Sequence, residues 1–433
     1  MAANSIVEGF LALLESFRPL FTAPSFLLFQ ELLLAWALCP GRHTITRMIG
    51  FLPRPGRRAH DAYHRFVREG VWSLADLWRW FAQVVVRALA PRGTLSLDLD
   101  DTLFHKSGRK VQGAGIFRDP IRSTAKRVVY ALGLNLVIVT LRVVPPWGGM
   151  PLGLPIHVRL YRKGGPSHLD LAEAMLRDLA RWFPDRSFRL CADGAYASLA
   201  SRSLPRTQLV SRMRRDAALY EPPPPRRKGQ RGRPRKKGDR LPSPEEWARR
   251  TRKGWRRVTV ERRGRREERL VLSRPVLWYQ VCRDRAVLLV VVRDPQGVEP
   301  DDFFFTTELG AEPGEVAGHY NGRWSIEQTF RDVKQFLGAE DPQTWKGEGP
   351  ERTSSLGLVL YSMVWFGYVV TQGSKRTWIG LPWYSSKTSP SFADALACRR
   401  RGLWRQRLFR GSDPRPLTAK MATVLIDGLA RAA

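Results

Sequence analysis

Cysteine is scarce in this chain. Four occur in 433 residues, Cys39, Cys191, Cys282 and Cys398, and no two form a Cys-x2-Cys pair. That excludes a zinc ribbon and a disulfide-stapled scaffold. Histidine is also rare, and the seven present do not cluster in sequence. Acids are outnumbered, with 40 Asp and Glu against 72 Lys and Arg. Met1–Glu8 lacks the basic start of a secretory signal. The apolar run Leu356–Val370 spans 15 residues, short of the ~20 that cross a bilayer. It is expected to be a buried core helix, with no membrane as partner. A reducing, cytoplasmic and nucleoid-associated setting fits these absences.

What is abundant is positive charge. The formal net charge is +32 and the pI is near 11.0. Such a field selects a polyanion, and double-stranded DNA is the first candidate. Hydrophobic residues make up 43 % of the chain, which is enough for packed cores. The length suits two or three domains.

Helical periodicity runs through Phe26–Leu38 and Trp72–Leu89. Between them lies Gly41–Gly50, with Arg42, Thr44 and Arg47. It reads either as a helix-turn-helix head facing DNA or as part of a plain helical bundle. Strands are expected at Thr94–Asp100, twice within Val128–Val144, and at Leu154–Arg162. A helix at His168–Phe183 has Ser167 as N-cap. Then come a strand at Ser187–Asp193, a helix at Ala195–Leu204 and a strand at Thr207–Met213. This order suggests a mixed α/β sheet covered by helices.

After Glu221 and four prolines, Arg226–Arg269 holds 20 Lys and Arg among 44 residues, against six acids. It reads as a linker or loop, too charged to bury a core by itself. Strands resume at Val276–Cys282, Ala286–Val292 and Phe303–Thr307. A helix begins near Pro313.

That helix carries Tyr320-Asn-Gly-Arg323-Trp-Ser-Ile-Glu327-Gln-Thr-Phe-Arg-Asp-Val-Lys334, a Tyr-x2-Arg-x3-Glu-x6-Lys spacing. On one continuous helix the four residues fall within about 60° of each other. A carboxylate flanked by cations suits a site that holds a metal ion beside phosphate. Two strand ends add acids. Asp98 and Asp100 share one face of an alternating strand, followed by Asp101 and Thr102. Asp193 ends another. Asp100, Asp193 and Glu327 together can bind two divalent ions, and hard oxygen ligands select Mg²⁺ or Mn²⁺. Taken singly, each acid is as well explained by a turn or an ion pair.

The combination resembles the DDE superfamily transposases of bacterial insertion sequences, in the branch with the Tyr-x2-Arg-x3-Glu-x6-Lys signature. Asp100-Asp101-Thr102 resembles the first Asp motif, Cys191-Ala-Asp193-Gly-Ala-Tyr196 the second, and Glu327 the third. The resemblance covers about 94–340. It implies a ribonuclease-H-like mixed sheet with flanking helices, interrupted by a β-rich basic insertion. It implies catalytic and metal-binding Asp100, Asp193 and Glu327, with two Mg²⁺. It further implies that Tyr320, Arg323 and Lys334 hold DNA phosphates. The chemistry would be cut-and-paste: cleavage at the terminal inverted repeats, then 3′-OH attack either on the opposite strand, giving a hairpin, or on target DNA, with a homodimer in the synaptic complex. On this frame 1–92 is a helical DNA-binding domain, 93–213 and 301–375 are the two parts of the core, 214–300 is the insertion, and 376–433 is a basic C-terminal region.

Arg231-Gly-Arg233-Pro has the core of an AT-hook, which would enter a narrow minor groove. A basic tether making only phosphate contacts is the favoured reading of it. Trp247, Trp255 and Trp278 are candidates for stacking on a flipped base, though Trp278 sits in an apolar strand and reads as core. Two rival functions stay open. Asp98-Leu-Asp100-Asp-Thr102 also fits the Asp-x-Asp-x-Thr of haloacid-dehalogenase-type phosphatases, with Asp98 as nucleophile, Asp100 as acid/base and Asp301-Asp302 as a further acidic pair. The other is a DNA-binding protein without catalysis.

Overall fold

The computed structural model describes residues 2–409 apart from 53, 125, 225–232, 374–377 and 379–382, together with 425–426 and 429–430. Five helices come first: α1 Ala2–Glu15, α2 Ala23–Leu38, α3 Ile45–Ile49, α4 His60–Glu69 and α5 Leu74–Leu89. The strands β1 Leu95–His105, β2 Gly115–Arg118, β3 Tyr130–Val143 and β4 Leu152–Tyr161 follow. Next are α6 His168–Trp182, β5 Phe188–Ala192, a 3-10 turn Gly194–Ser201 and β6 Thr207–Arg212. Then come α7 Pro244–Arg250, β7 Arg256–Arg262, β8 Arg265–Val276, β9 Val287–Arg293 and β10 Asp302–Thr306. The chain closes with α8 Pro313–Gly322, α9 Trp324–Leu337, α10 Gly349–Gln372 and α11 Phe392–Phe409.

One sheet holds every strand. Its order is β2-β3-β1-β5-β6-β10-β9-β8-β7, with β4 also paired to β3. β1, β5 and β6 are mutually parallel neighbours, while β3 and β4 run antiparallel. The order β4-β3-β1-β5-β6 with that polarity is ribonuclease-H-like. β10, β9, β8 and β7 extend the same sheet beyond β6, each antiparallel to its neighbour.

Local sequence explains the elements that place the site. Leu95, Leu97 and Leu99 are buried on one face of β1 and drive it into the sheet. α6 starts in a capping box, where Ser167 and Asp170 satisfy each other's backbone N–H. Leu356–Val370 lies inside α10, whose apolar window is 83 % buried, as a core helix. The N-terminal helices share this core. Trp36 Nε1 donates to Leu337 O at 2.7 Å, and Arg352 donates to the Gly70 and Trp72 carbonyls.

Several sequence expectations are corrected. Val128–Val144 forms one long strand, because its apolar run is continuous and buried throughout its second half. Ala195–Leu204 is a 3-10 turn rather than an α-helix. Val276–Cys282 is mostly turn; the strand precedes it. The basic segment is not merely a linker, since α7, β7 and part of β8 lie in it. Val258 and Val260 point inward, while the flanking Arg257 and Arg262 pair with Glu268 and Glu299.

Candidate active site

Parallel pairing of β1 with β5 ends at Leu99 opposite Ala192. The next residues on the two strands are Asp100 and Asp193. The strands therefore deliver two carboxylates side by side at the point where they part. Asp193 Oδ1 accepts from Ala195 N at 2.8 Å and caps the 3-10 turn. α9 brings the third acid. Arg323, at the junction of α8 and α9, donates from Nη1 to Asp100 Oδ2 at 2.8 Å and from Nη2 to Glu327 Oε1 at 2.7 Å.

The signature does not lie on one unbroken helix. Arg323 N bonds to Tyr320 O and Ile326 N to Arg323 O, both i→i+3 contacts that tighten the chain there. Gly322 permits the step: a Cβ on it would come within 2.6 Å of Arg142 Nη1. Tyr320 stays nearby, its ring 5.5 Å from the Arg323 guanidinium carbon and 4.5 Å from Phe304. Lys334 sits further along β1, donating to Leu103 O at 2.7 Å and lying 3.6 Å from Glu340.

Alternation on β1 separates its adjacent acids. Asp100 faces α9. Asp101 faces the other way, accepting from Tyr196 Oη at 3.0 Å and Asn135 Nδ2 at 3.1 Å. Asp98, on the α9 side, is wholly buried. Its Oδ2 accepts from Arg142 Nε at 3.1 Å and Ser325 Oγ at 3.0 Å, and its Oδ1 from Arg142 Nη2. A phosphatase nucleophile must reach substrate, and Asp98 is sealed. Asp301 and Asp302 are paired with Arg293 and Arg212 at the start of β10. The phosphatase reading fails on these contacts.

Electrostatics mark Asp100. Burial pushes its carboxyl up to about 7, although Arg323 pulls it down; Asp193 and Asp101 push it further up. Among the described residues no three metal-type ligands are gathered for an ion. The donor set nevertheless fits one: hard carboxylate oxygens, and a cationic Arg323 standing between two of them.

The other predicted residues lie apart. Arg47 is exposed on α3, a five-residue helix whose N-cap is Thr44. Arg42 is exposed beside Glu340 and Asp341. Arg233 is exposed, and Arg231 falls outside the described residues. Trp278 is core, edge-on to Phe305. Trp255 lies under Arg293 at 4.0 Å, and Trp247 packs against the core. Sequence reasoning missed Arg142 and Ser325, which hold Asp98, and His319, which stands against Arg142 and Arg189. Only the charged position within an otherwise apolar β3 hinted at Arg142.

A ribonuclease-H-like sheet with paired acids on its central strands defines a nuclease-type core. The model of one family, described as DDE superfamily endonuclease, matches residues 17–267. The chain belongs to that family. The matched span includes Asp100 and Asp193 and stops before Glu327. Nucleases of this superfamily act on DNA and generally use divalent metals. No curated protein matches the chain.

Proposed function

We propose that this protein is a cut-and-paste DNA transposase, cleaving at element ends and joining the freed 3′-OH to target DNA. The single observation that carries the reading is the Arg323 bridge, which ties Asp100 of β1 to Glu327 of α9 beside Asp193. Two acids distant in sequence share one partly buried cation, and a third ends the neighbouring strand beside them, an arrangement that suits a place serving chemistry.

Asp100, Asp193 and Glu327 would hold two Mg²⁺, or Mn²⁺ in substitution. Bound there, the ions supply activation of the attacking oxygen and stabilisation of the leaving one. Arg323 has two N–H groups to turn from carboxylate to phosphate, the geometry guanidinium shares with both. Tyr320 beside it, and Lys334 further along α9, would orient the cleaved end. Asp193, anchored by Ala195 N, keeps its second oxygen for a ligand. The partners are the terminal inverted repeats and target DNA, with a homodimer in synapsis. Arg42, Arg47, Arg231 and Arg233 add contacts outside the site, and we assign the segments as 1–92 for DNA binding, 214–300 as insertion and the rest of 93–375 as core.

The test is full-length protein with Mg²⁺ and duplexes carrying the sequences that flank the reading frame. Cutting is expected, with Asp193→Ala abolishing it while DNA binding survives. Binding without cutting in the unaltered protein would show a DNA-binding protein that lacks catalysis and sink the proposal.

A further inference from the structure

A groove lies away from the Asp100, Asp193 and Glu327 carboxylates. It has a volume of about 870 Å³ and is built by three separated pieces of chain: Arg42 ahead of α3, the loop after β1 with Lys106, Arg109 and Lys110, and the segment after α9 ending in Trp345. Lys106 is structural, its Nζ donating to Glu340 O at 2.6 Å and Pro342 O at 3.3 Å, so it staples the two walls together. The acids of the groove already have partners within the protein. Glu340 accepts from His105 N at 2.8 Å and pairs with Lys334, and Asp341 accepts from His43 N at 2.8 Å. Arg109 and Lys110 are exposed and in no ion pair among the described residues. Trp345 is 47 % exposed, an open indole face in a rim of cations, with Lys346 4.5 Å over its ring. Its backbone is fixed, since Trp345 O accepts from Gln112 N at 2.9 Å.

We propose that this groove is a second DNA-contact site, which seats the duplex to one side of the scissile phosphate. The inference rests on the reading of the partner as DNA. A floor whose acids are already bonded, two exposed cations and a flat apolar ring suit a sugar-phosphate strand: cations for phosphate, indole for sugar or base. The place also follows from β1. Asp100 and Lys106 are joined by six residues, mostly strand, at ~3.3 Å each, or about 20 Å. At ~3.4 Å per base pair that is about six steps of duplex. A duplex running along β1 would therefore be gripped by the groove about six base pairs from the cut.

The experiment uses the full chain and a duplex of arbitrary sequence, titrated across salt concentrations. Arg109→Ala/Lys110→Ala should reduce the slope of log K against log salt by about 1.8, at ~0.9 per phosphate contact. Trp345→Ala should weaken binding roughly tenfold at every salt concentration with the slope unchanged. Circular dichroism melting of each variant should match the parent, because all three side chains are exposed; for a variant that melts early, Arg109→Gln/Lys110→Gln and Trp345→Phe replace it. A slope unaltered in the double variant overturns the proposal, and so does a lower slope with Trp345→Ala binding normally, which would leave only diffuse charge. A change in sedimentation with DNA affinity intact would make the groove a contact between copies and also overturn it. On a duplex that is cut, ethylation of phosphates about six steps from the cut should impair binding of the parent and not of the double variant. If these binding results hold while no duplex is ever cut, the groove stands and the transposase reading falls.

Discussion

Arg323 donates to Asp100 across 223 positions of sequence, at 2.8 Å, from the joint between two helices to the middle of the central strand. The guanidinium thus stands where a metal ion bound by Asp100 would put its own charge. Removing it should free both Asp100 and Glu327. Arg323→Ala is expected to bind Mn²⁺ several-fold more tightly in the absence of DNA, measured by electron paramagnetic resonance, while DNA cleavage falls at least a hundredfold. Unchanged Mn²⁺ affinity would show that the arginine does not compete with metal.

Asp98 is expected to matter for folding, not for nucleophilic chemistry. Asp98→Ala leaves Arg142 buried and unpaired, which costs about 3–5 kcal/mol. Urea denaturation should show that loss. The double change Asp98→Leu/Arg142→Met should recover much of it. Phosphate release from small esters should be absent in the parent protein.

Acid should destabilise the fold through buried histidines. Burial, then Arg142 and Arg189, push His319 down to about 3, and Arg189 Nη1 donates to its Nε2 at 2.6 Å. Burial also lowers His157, despite the Asp178 carboxylate 3.0 Å away. Both folded values lie below the unfolded value of ~6.5. The unfolded chain then takes up protons first, so stability is full above that value and falls as pH drops below it. From pH 7 to pH 5 the loss from His319 alone is about 2 kcal/mol. His319→Gln should flatten the pH dependence of the urea midpoint by that amount; an unaltered slope would refute the assignment.

Gly264 should tolerate no side chain. It turns the β7–β8 hairpin at φ +74°, and a Cβ would sit 2.9 Å from Met150 N. Gly264→Ala is expected to cost about 1–3 kcal/mol and to lift the hairpin tip, with Arg263, off Trp324, whose ring lies 5.6 Å away. A Trp324 fluorescence shift at unchanged global fold would report the undocking.

Much of the core was legible because its signals are local. Period-two apolar residues in β1, the Ser167 cap and the run in α10 each act over a few neighbours. The continuous helix over Tyr320–Lys334 was not legible as broken, because Gly322 yields to Arg142 of β3, a residue 180 positions earlier. The basic segment misled for a related reason. Its charge says loop, yet a neighbouring strand supplies the ladder and the acids that let β7 form.

By itself the sequence determined many of the elements, the excess of positive charge, and the residue types able to hold divalent cations and phosphate, since these follow from composition and short-range spacing. Only the tertiary structure decided which acids meet. Strand pairing set Asp100 beside Asp193, alternation turned Asp101 away, and burial closed Asp98 onto Arg142. It also decided that Arg42, Lys110 and Trp345 share one groove. Such meetings depend on how distant segments pack, and no local pattern of residues encodes them.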